Sequence, residues 1–238
     1  AASDVYKRQE YIVKTIVTTE TIKTIAERNG VEIYDVYTGF KWIANVMREN
    51  EGKKNYIGGG EESYGFLCED FVRDKDAVSA CVILAEIAAW AKDQGLSLYQ
   101  LLQKIYVEYG FSKEKGISVV KKGKSGAEEI EAMMKKFREN PLTEIAGSKV
   151  TYFYDYSTLK GKDYAENETV TLDMPTTSNV LQYFTEDNTK VSIRPSGTEP
   201  KIKFYCEVHS KVKSIDELPE AEKAAEEKIN QIKASLGI

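Results

Sequence analysis

Hydrophobic positions in the first half of the chain alternate between the two-residue period of strands and the 3.6-residue period of helices. Residues 12–17 form a β-branched run that is typical of a strand, and residues 31–36 form a second such run. Between these runs, Ile22, Ile25 and Ala26 share one face of a predicted helix. The alternation of strand and helix predicts an α/β domain in which helices pack on a sheet.

The same pattern continues to about position 110. Thr38 is a candidate N-cap for the next helix, and a third strand runs into a loop of glycines at residues 58–60. Residues 77–94 are apolar on most sides, which predicts a helix buried in the domain core. Ser97 is expected to cap the following amphipathic helix, and Gly110 is expected to end it.

The second half of the chain has a different order of predicted strands and helices. Residues 112–116 are polar and without pattern, so they are expected to link the two halves. After a helix at residues 127–138, strands follow one another without helices between them, including a predicted hairpin of residues 180–184 and 190–193. A final helix is predicted to begin near Pro219. This order indicates an α+β domain.

Composition narrows the class of protein. The 238 residues fit one large domain or two ordinary ones, and a hydrophobic content of 42% is sufficient for a buried core. The longest apolar stretch, residues 81–91, is interrupted by Glu86 and is too short to cross a bilayer. Residues 1–9 lack the pattern of a secretory signal and are expected to be unstructured or a cloning or sequencing scar. The sequence therefore predicts a cytoplasmic protein that does not bind a membrane.

The histidine and cysteine content excludes several kinds of metal site. A single histidine, His209, cannot provide a multi-histidine metal site, and its alternating neighbours place it on a strand in a structural role. Three widely spaced cysteines without a C-x-x-C pair predict reduced thiols and no zinc site. The net charge of −5 argues against non-specific binding to nucleic acid.

One segment with candidate chemistry follows the third predicted strand. Its glycines let a ligand approach the backbone closely, and Glu61, Glu62 and Ser63 follow at once. Adjacent carboxylates and a hydroxyl accept and donate hydrogen bonds of the kind that bind neighbouring hydroxyls of a sugar. The alternative interpretation is an ordinary glycine turn flanked by surface glutamates.

A second segment combines an arginine, two hydroxyls and a glycine within a few residues, namely Arg194, Ser196, Gly197 and Thr198. A guanidinium can bind two phosphate oxygens, while hydroxyls and an unhindered backbone N–H bind the others. Flanking prolines restrict the loop, which lowers the entropic cost of ordering it on binding. The segment predicts a phosphate-binding loop, and it does not match the G-x-x-x-x-G-K-[ST] pattern.

These motifs, taken in order, carry a family resemblance. Gly-Gly-Glu-Glu-Ser-Tyr-Gly at residues 59–65, Val-Arg-Asp-Lys-Asp at 72–76 and Arg-Pro-Ser-Gly-Thr-Glu-Pro-Lys-Ile-Lys at 194–203 resemble motifs of the α-D-phosphohexomutases, specifically phosphoglucomutase/phosphomannomutase. Thr-Gly-Phe-Lys at residues 38–41 resembles a further loop of that family. The resemblance extends from about residue 11 to the C-terminus.

The resemblance implies the last two domains of a four-domain isomerase, an intramolecular phosphotransferase of carbohydrate metabolism. Residues 10–111 would form a three-layer α/β domain with a mixed sheet, and this domain would bind the sugar. Residues 112–238 would form a smaller α+β domain with a mainly antiparallel, TATA-box-binding-protein-like sheet, and it would bind phosphate. The family's phosphoserine loop and magnesium loop belong to the first two domains, and neither motif occurs in this sequence.

The resemblance assigns substrate contacts to two groups of residues. The sugar-binding group comprises Gly60, Glu61 and Ser63, together with Lys41, Arg73 and Lys75 as candidate additional contacts for the phosphate of the substrate. The phosphate-binding group comprises Arg194, Ser196, Gly197, Thr198 and Lys203. For the lysines and for Arg73, the alternative is a solvated charge or an ion-pair partner. No catalytic residue and no metal ligand is assigned within this chain.

The resemblance also implies the partners of the chain, a small sugar phosphate and the missing N-terminal domains. In the full-length enzyme Mg²⁺ would be the cofactor and hexose 1,6-bisphosphate the intermediate, and this fragment alone would be inactive. Two alternatives stay open, a freestanding sugar-phosphate-binding module and a phosphopentomutase of the same family. Glucose and mannose both stay open as the sugar, and Tyr64 favours the bacterial phosphoglucomutase-like branch.

Overall fold

The computed structural model describes residues 9–121, 123–197 and 199–238, and within these ranges the side chain of Lys124 is not described. The expectation that residues 1–9 are unstructured or a scar therefore falls almost entirely outside the described residues. Within the part of the chain that is described, no helix is both long enough and apolar enough to cross a membrane.

The chain divides into two compact units, unit 1 (Ala1–Tyr109) and unit 2 (Gly110–Ile238). Unit 2 spans the longer stretch of chain, so the expectation of a smaller second domain is wrong in this respect. Residues 112–116, expected to be a link, lie inside the first strand of unit 2, Phe111–Val120. This strand is at the edge of its sheet with one face half-exposed, and such strands carry few of the apolar residues by which strands are predicted.

Unit 1 alternates strands and helices, as its hydrophobic pattern predicts. In chain order its elements are β1 (Glu10–Thr15), α1 (Thr21–Arg28), β2 (Glu32–Val36), α2 (Phe40–Asn50), β3 (Asn55–Gly60), β4 (Phe66–Cys68), α3 (Ala77–Asp93) and α4 (Leu98–Tyr109). Strand β1 pairs parallel with β2 and β3, and β4 pairs antiparallel with β3. The sheet order is β2-β1-β3-β4, which confirms the predicted α/β class with a mixed sheet.

Helix α2 packs on one face of this sheet. Alternate residues of β1, Tyr11 and Val13, point to that face and form a buried cluster with Ile43 and Met47 of the helix. The intervening Lys14 points to the opposite face, where its ammonium lies 3.0 Å from the carboxylate of the residue that precedes α1. Helices therefore lie on both faces of the sheet, which gives the predicted three layers.

Helix α3 differs most from the prediction. It forms where the pattern of residues 77–94 predicts a helix, but Ala91 is its one buried residue among those described. Val78 is 74% exposed and Trp90 is 55% exposed. The prediction of a buried core helix is therefore wrong for this structure. An apolar composition predicts burial, but burial also needs neighbouring elements on every side, and α3 contacts mainly β4 and α4.

Unit 2 begins with a strand and a helix and continues mainly with strands. In chain order its elements are β5 (Phe111–Val120), α5 (Gly123–Glu139), β6 (Glu144–Ile145), β7 (Ser148–Asp155), β8 (Lys160–Asp163), β9 (Glu168–Thr171), β10 (Leu181–Thr185), β11 (Lys190–Pro195), β12 (Lys201–Ser210) and α6 (Leu218–Leu236). The strands form an antiparallel sheet in the order β5-β12-β11-β10-β7-β8-β9, and β6 pairs with β7. This sheet confirms the predicted α+β class.

Several local predictions for unit 2 are confirmed. Strands β10 and β11 form the expected hairpin, with Leu181 opposite Ile193. Helix α6 begins at Leu218 and buries Ile229 and Ile232 against the sheet. His209 lies on β12, as its alternating neighbours predict. These elements are determined by the spacing of apolar residues and by turn residues within short segments, so they can be predicted from the sequence.

Candidate functional site

The segment between β3 and β4 is a short loop that closes on itself. The N–H of Glu61 donates to the carbonyl of Gly65 at 2.7 Å. The glycines expected in a loop lie instead in β3, where Gly59 pairs with both neighbouring strands and Gly60 is the last residue. A Cβ at position 59 would lie 2.7 Å from the Tyr56 hydroxyl, so the sheet itself requires a glycine there. The loop begins at the carboxyl end of β3, where α/β sheets bind ligands.

Glu61 is held at the N-terminus of α2. Its Oε1 accepts a hydrogen bond from the backbone N–H of Gly39, the N-cap residue of the helix, at 2.7 Å. Since Gly39 is the N-cap, the expectation that Thr38 caps this helix is wrong. The helix dipole favours a carboxylate at this place. The Oε2 atom of Glu61 has no hydrogen-bond partner among the described residues, which leaves one acceptor available to a ligand.

The neighbouring carboxylate has a different partner. Glu62 Oε2 accepts a hydrogen bond at 3.1 Å from the hydroxyl of Thr15, which is buried at the end of β1. The hydroxyls of Thr15 and Thr18 lie 2.9 Å apart. Thr15 is not among the residues predicted from the sequence, because it bonds to a residue 47 positions away. The available signal was its place at the carboxyl end of a strand parallel to β3.

The tip of the loop faces solvent. Ser63 and Tyr64 are both exposed, and the exposed fraction of Tyr64 is 99%. Tyr64 has a backbone φ of 68°, in the left-handed region that bulky residues rarely adopt. The Ser63 hydroxyl is therefore presented on the same short loop that holds Glu61.

Lys75 lies beside this loop. A Cβ at Gly65 would lie 2.9 Å from Glu61 Oε2 and 3.1 Å from Lys75 Cδ, so the absence of that atom lets both side chains approach the loop. The Lys75 ammonium is 5.9 Å from the centre of the Phe40 ring. Hydrogen bonds from the side chain and the backbone N–H of Lys75 lower the pKa of Asp74 below its ordinary value. The Lys75 ammonium is therefore already paired with one carboxylate, that of Asp74.

The two remaining cations of the sugar-binding group differ in placement. Lys41 lies in the first turn of α2, and its ammonium is 5.0 Å from the centre of the Trp42 ring. Arg73 forms a 3.2 Å ion pair with Glu51, the C-cap residue of α2. The structure thus gathers the loop and Lys41 around the N-terminus of α2, whereas it places the Arg73 guanidinium at the C-terminal end of that helix.

In unit 2, the predicted phosphate-binding segment connects β11 to β12. The N–H of Ser196 donates to the carbonyl of Lys201 at 2.8 Å, which closes the loop. Arg194 on β11 pairs directly with Lys203 on β12. Directly paired residues of antiparallel strands project to the same face, so these two cations lie side by side next to the loop.

Polar groups within the loop are arranged around its serine. The Ser196 Oγ accepts a hydrogen bond from the N–H of Glu199 at 3.3 Å, and Gly197 is exposed. An ion pair with Lys201 lowers the pKa of Glu199 below its ordinary value. Thr198, also predicted to bind phosphate, lies outside the described residues.

A cavity of about 510 Å³ lies between this loop and α5. Ile130 and Met134 of α5 and Ser196 of the loop are among the residues that line it. Neither Arg194 nor Lys203 lines the cavity, so the paired cations do not face it. The cavity and the predicted phosphate position are therefore different places on unit 2.

The described residues show no group of three or more histidine, cysteine, aspartate or glutamate side chains that could hold a metal ion. Cys68, Cys81 and Cys206 are free thiols. Burial raises the pKa of the Cys206 thiol to about 11, so this side chain is an apolar part of the core at neutral pH. No step of a reaction is assigned to these thiols.

Comparison with protein families gives two matches that together cover most of the chain. Residues 1–109 match the model of phosphoglucomutase/phosphomannomutase, alpha/beta/alpha domain III. Residues 118–225 match the model of the phosphoglucomutase/phosphomannomutase C-terminal domain. The chain belongs to the phosphoglucomutase/phosphomannomutase family. This membership confirms the resemblance that the glycine-glutamate and arginine-serine motifs carry.

Curated relatives of this family member are phosphoglucomutases. The phosphoglucomutase of Staphylococcus haemolyticus is 36% identical over 198 residues, which cover 83% of this chain and 36% of the relative. A phosphoglucomutase of Staphylococcus aureus is 39% identical over the same length, with the same coverage of both chains. The chain thus spans about a third of the length of the curated relatives it matches.

Solved structures of the phosphoglucomutase/phosphomannomutase family share the fold. The open form of pp63/parafusin, a phosphoglucomutase from Paramecium, matches with a TM-score of 0.56 and 19% identity over 85% of this chain and 33% of that chain. A phosphoglucomutase/phosphomannomutase family protein from Burkholderia thailandensis matches with a TM-score of 0.54 and 16% identity, covering 97% of this chain and 38% of that chain. At these identities the likeness concerns the fold alone.

Proposed function

We propose that this chain is the C-terminal part of a phosphoglucomutase and that it binds a hexose phosphate for the reaction of the whole enzyme. Family membership and the names of the sequence relatives support this proposal. The observation that carries it is the Glu61 carboxylate, of which one oxygen is fixed by the Gly39 N–H. The other oxygen has no partner within the described part of the chain, so it is preorganised to accept a sugar hydroxyl.

Unit 1 binds the sugar in this proposal. Glu61 accepts a hydrogen bond from one hydroxyl, and the exposed Ser63 on the same loop exchanges a hydrogen bond with a neighbouring hydroxyl. Lys41 and Lys75, near the N-terminus of α2, supply positive charge for an anionic substrate. Arg73, whose guanidinium pairs with Glu51 at the C-terminal end of α2, belongs to this group only through the family resemblance.

Unit 2 binds the phosphate that is not transferred. Arg194 can bind two of its oxygens with a guanidinium fork, and Lys203 beside it adds a second charge. Ser196 and the exposed backbone of Gly197 supply neutral donors. Thr198 belongs to the same group through the family resemblance.

The parent enzyme interconverts hexose 1-phosphate and hexose 6-phosphate in the cytoplasm. A phosphoserine in its N-terminal domains gives its phosphoryl group to the free hydroxyl of the sugar, which forms hexose 1,6-bisphosphate, and the serine then takes back the other phosphoryl group. Mg²⁺ bound in those domains would supply charge neutralisation. Both substrate orientations must fit one site, so this chain contributes positioning and electrostatics while phosphoryl transfer takes place on the other domains.

Isothermal titration of this chain with glucose 6-phosphate, inorganic phosphate and glucose tests the proposal. Glucose 6-phosphate is expected to bind more tightly than either of the other two, because it alone carries both sugar hydroxyls, which unit 1 is proposed to bind, and a phosphate, which unit 2 is proposed to bind. Equal affinity for glucose 6-phosphate and inorganic phosphate would contradict a sugar-binding role for unit 1. Mannose 6-phosphate in the same series decides the preferred sugar.

A coupled assay with glucose 1-phosphate tests the division of labour. This chain alone is expected to give no turnover, because phosphoryl transfer needs the phosphoserine. Turnover that scales with the concentration of the purified chain would contradict the assignment of that step to other domains.

A further inference from the structure

Tyr64 combines two features that the fold of unit 1 does not require. Its side chain is 99% exposed, although an aromatic ring gains free energy from leaving water. Its backbone has a φ of 68°, a conformation that glycine or asparagine adopts at a lower energetic cost than tyrosine. The hydrogen bond between Glu61 and Gly65 closes the loop without using the Tyr64 side chain. Neither packing nor the turn therefore explains a tyrosine at this position.

The position of Tyr64 within the loop suggests what the ring does. It follows Ser63 directly and lies three residues after Glu61, so the ring projects from the loop that presents the proposed hydroxyl-binding groups. Strained backbone and exposed apolar side chains are both characteristic of ligand-binding positions. Here the two features coincide on one residue of the loop that also carries Glu61 and Ser63.

We propose that Tyr64 is a specificity-determining residue whose ring stacks on the apolar face of the sugar that unit 1 binds. This inference rests on the function proposed above. A hexose ring carries C–H groups on its faces and hydroxyls around its edge. Glu61 and Ser63 form hydrogen bonds with hydroxyls at the edge of the sugar, and the electron-rich face of the tyrosine ring packs against the C–H groups. Stacking also removes apolar surface of both partners from water.

The chemistry of such a platform predicts which ligands depend on it. A ring face attracts any pyranose phosphate with an exposed C–H face, and it gives no affinity to inorganic phosphate, which has none. The phenol hydroxyl is not needed for stacking, so phenylalanine can replace tyrosine. Glycine removes the platform and at the same time relieves the left-handed backbone.

Three variants of this chain test the inference by isothermal titration with glucose 6-phosphate and inorganic phosphate. Tyr64→Phe is expected to bind glucose 6-phosphate within about twofold of the wild type. Tyr64→Gly is expected to bind it about tenfold more weakly, with unchanged affinity for inorganic phosphate. Tyr99→Ala is the matched control, because Tyr99 is also well exposed but lies on the regular helix α4. It is expected to change neither affinity.

Two further measurements separate stacking from a structural role. The melting temperature of Tyr64→Gly is expected to rise, since glycine adopts a φ of 68° without strain, so affinity and stability move in opposite directions. In NMR spectra, the C–H protons of bound glucose 6-phosphate are expected to shift upfield with wild type and Tyr64→Phe and to lose that shift with Tyr64→Gly. Unchanged affinity and unchanged sugar shifts in Tyr64→Gly would overturn the inference.

A fourth variant distinguishes failure of this inference from failure of the proposed function. If Glu61→Gln weakens glucose 6-phosphate binding and Tyr64→Gly does not, the sugar site stands and the stacking role is overturned. If the wild-type chain binds glucose 6-phosphate no better than inorganic phosphate, both the sugar site and the stacking role are overturned. Weaker binding of glucose 6-phosphate in both variants supports both.

Discussion

The carboxylate of Glu61 and the backbone N–H of Gly39 are joined by a hydrogen bond of 2.7 Å. Such a charge-assisted bond is among the stronger polar contacts in a protein, and this one connects the loop after β3 to the first turn of α2. The orientation of Glu61 therefore depends on the helix as much as on its own loop. Its position relative to Lys41, in the same first turn, is set by the same bond.

Glu61→Gln is the sharpest test of the sugar site. The glutamine carbonyl can still accept the Gly39 N–H, but the second oxygen becomes an amide donor and can no longer accept a sugar hydroxyl. We expect glucose 6-phosphate affinity to fall by about 1.5–3 kcal/mol, the scale of a hydrogen bond to a charged group. Titration calorimetry measures this loss. Glu62→Gln is the control, since the Glu62 carboxylate bonds to Thr15, and an equal loss in both variants would contradict a special role for Glu61.

Arg194→Ala tests the proposed phosphate-binding loop. Removing the guanidinium is expected to weaken binding of both glucose 6-phosphate and inorganic phosphate by about 1.5–3 kcal/mol. Arg194→Lys should recover part of the loss, because it restores the charge without the two-pronged geometry. Lys149→Ala, at an exposed position on β7, serves as the control for a general loss of positive charge. Unchanged affinity of Arg194→Ala for inorganic phosphate would refute the assigned role.

Lys14 is predicted to be important for stability. Its side chain is 1% exposed, and its ammonium lies 3.0 Å from Glu20 and 2.6 Å from Asp35. Lys14→Ala removes a buried cation and leaves two carboxylates that are each about a third exposed, so we expect a loss of about 1–3 kcal/mol in the free energy of unfolding. Lys14→Met fills the same space and should lose less than Lys14→Ala. Urea denaturation followed by circular dichroism measures both, and a loss below 1 kcal/mol for Lys14→Ala, on the scale of about 0–1 kcal/mol for an exposed ion pair, would contradict the prediction.

Asp187 is predicted to make the stability of unit 2 dependent on pH. Burial raises the pKa of its carboxyl, but hydrogen bonds from Lys228, Thr185 and Thr189 outweigh burial and hold the pKa well below its ordinary value of about 3.9. A lowered pKa in the folded state contributes stability that is fully present above the ordinary value and is lost as the pH falls toward the folded value.

The test compares wild type with Asp187→Asn at pH 6, 5, 4 and 3. The stability advantage of the wild type in urea denaturation is expected to be constant at pH 6 and 5 and to shrink at pH 4 and 3, as the unfolded carboxyl becomes protonated. A constant advantage across the whole range would exclude Asp187 as a source of the acid sensitivity.

Gly110 and His209 provide a test of backbone strain. Gly110 has a φ of 105°, and a Cβ added to it would collide with the His209 imidazole. Gly110→Ala is therefore expected to destabilise unit 2 by about 1–3 kcal/mol. Adding His209→Ala removes the collision but leaves the unfavourable φ, so the double variant should recover part of the loss. Thermal melting of the single and double variants checks this, and full additivity would contradict the contact.

The parts of the fold that follow from short stretches of sequence were predictable. The β10–β11 hairpin and helix α6 are examples, since alternating apolar residues, turn residues and Pro219 lie within the elements they define. The two loops were also recognisable, because the clustering of Glu61 with Ser63, and of Arg194 with Ser196, is visible in the sequence itself.

The parts that depend on distant neighbours were not predictable. The bond between Thr15 and Glu62 exists because two parallel strands end at the same edge of the sheet. The position of Arg73 depends on a partner, Glu51, at the far end of another element. The exposure of Val78 on α3 likewise reflects what surrounds the helix, which the composition of the helix alone does not contain.

The pairing of Arg194 with Lys203 has a practical consequence for work with this protein. Two like charges held next to each other on a sheet repel, so an anion that binds between them stabilises the folded unit as well as occupying a site. Phosphate or sulfate in a purification buffer would then raise the melting temperature and compete with the sugar phosphate being tested. The choice of buffer anion is thus an experimental variable, and a series of melting curves in different anions becomes a rapid assay for ligands of unit 2.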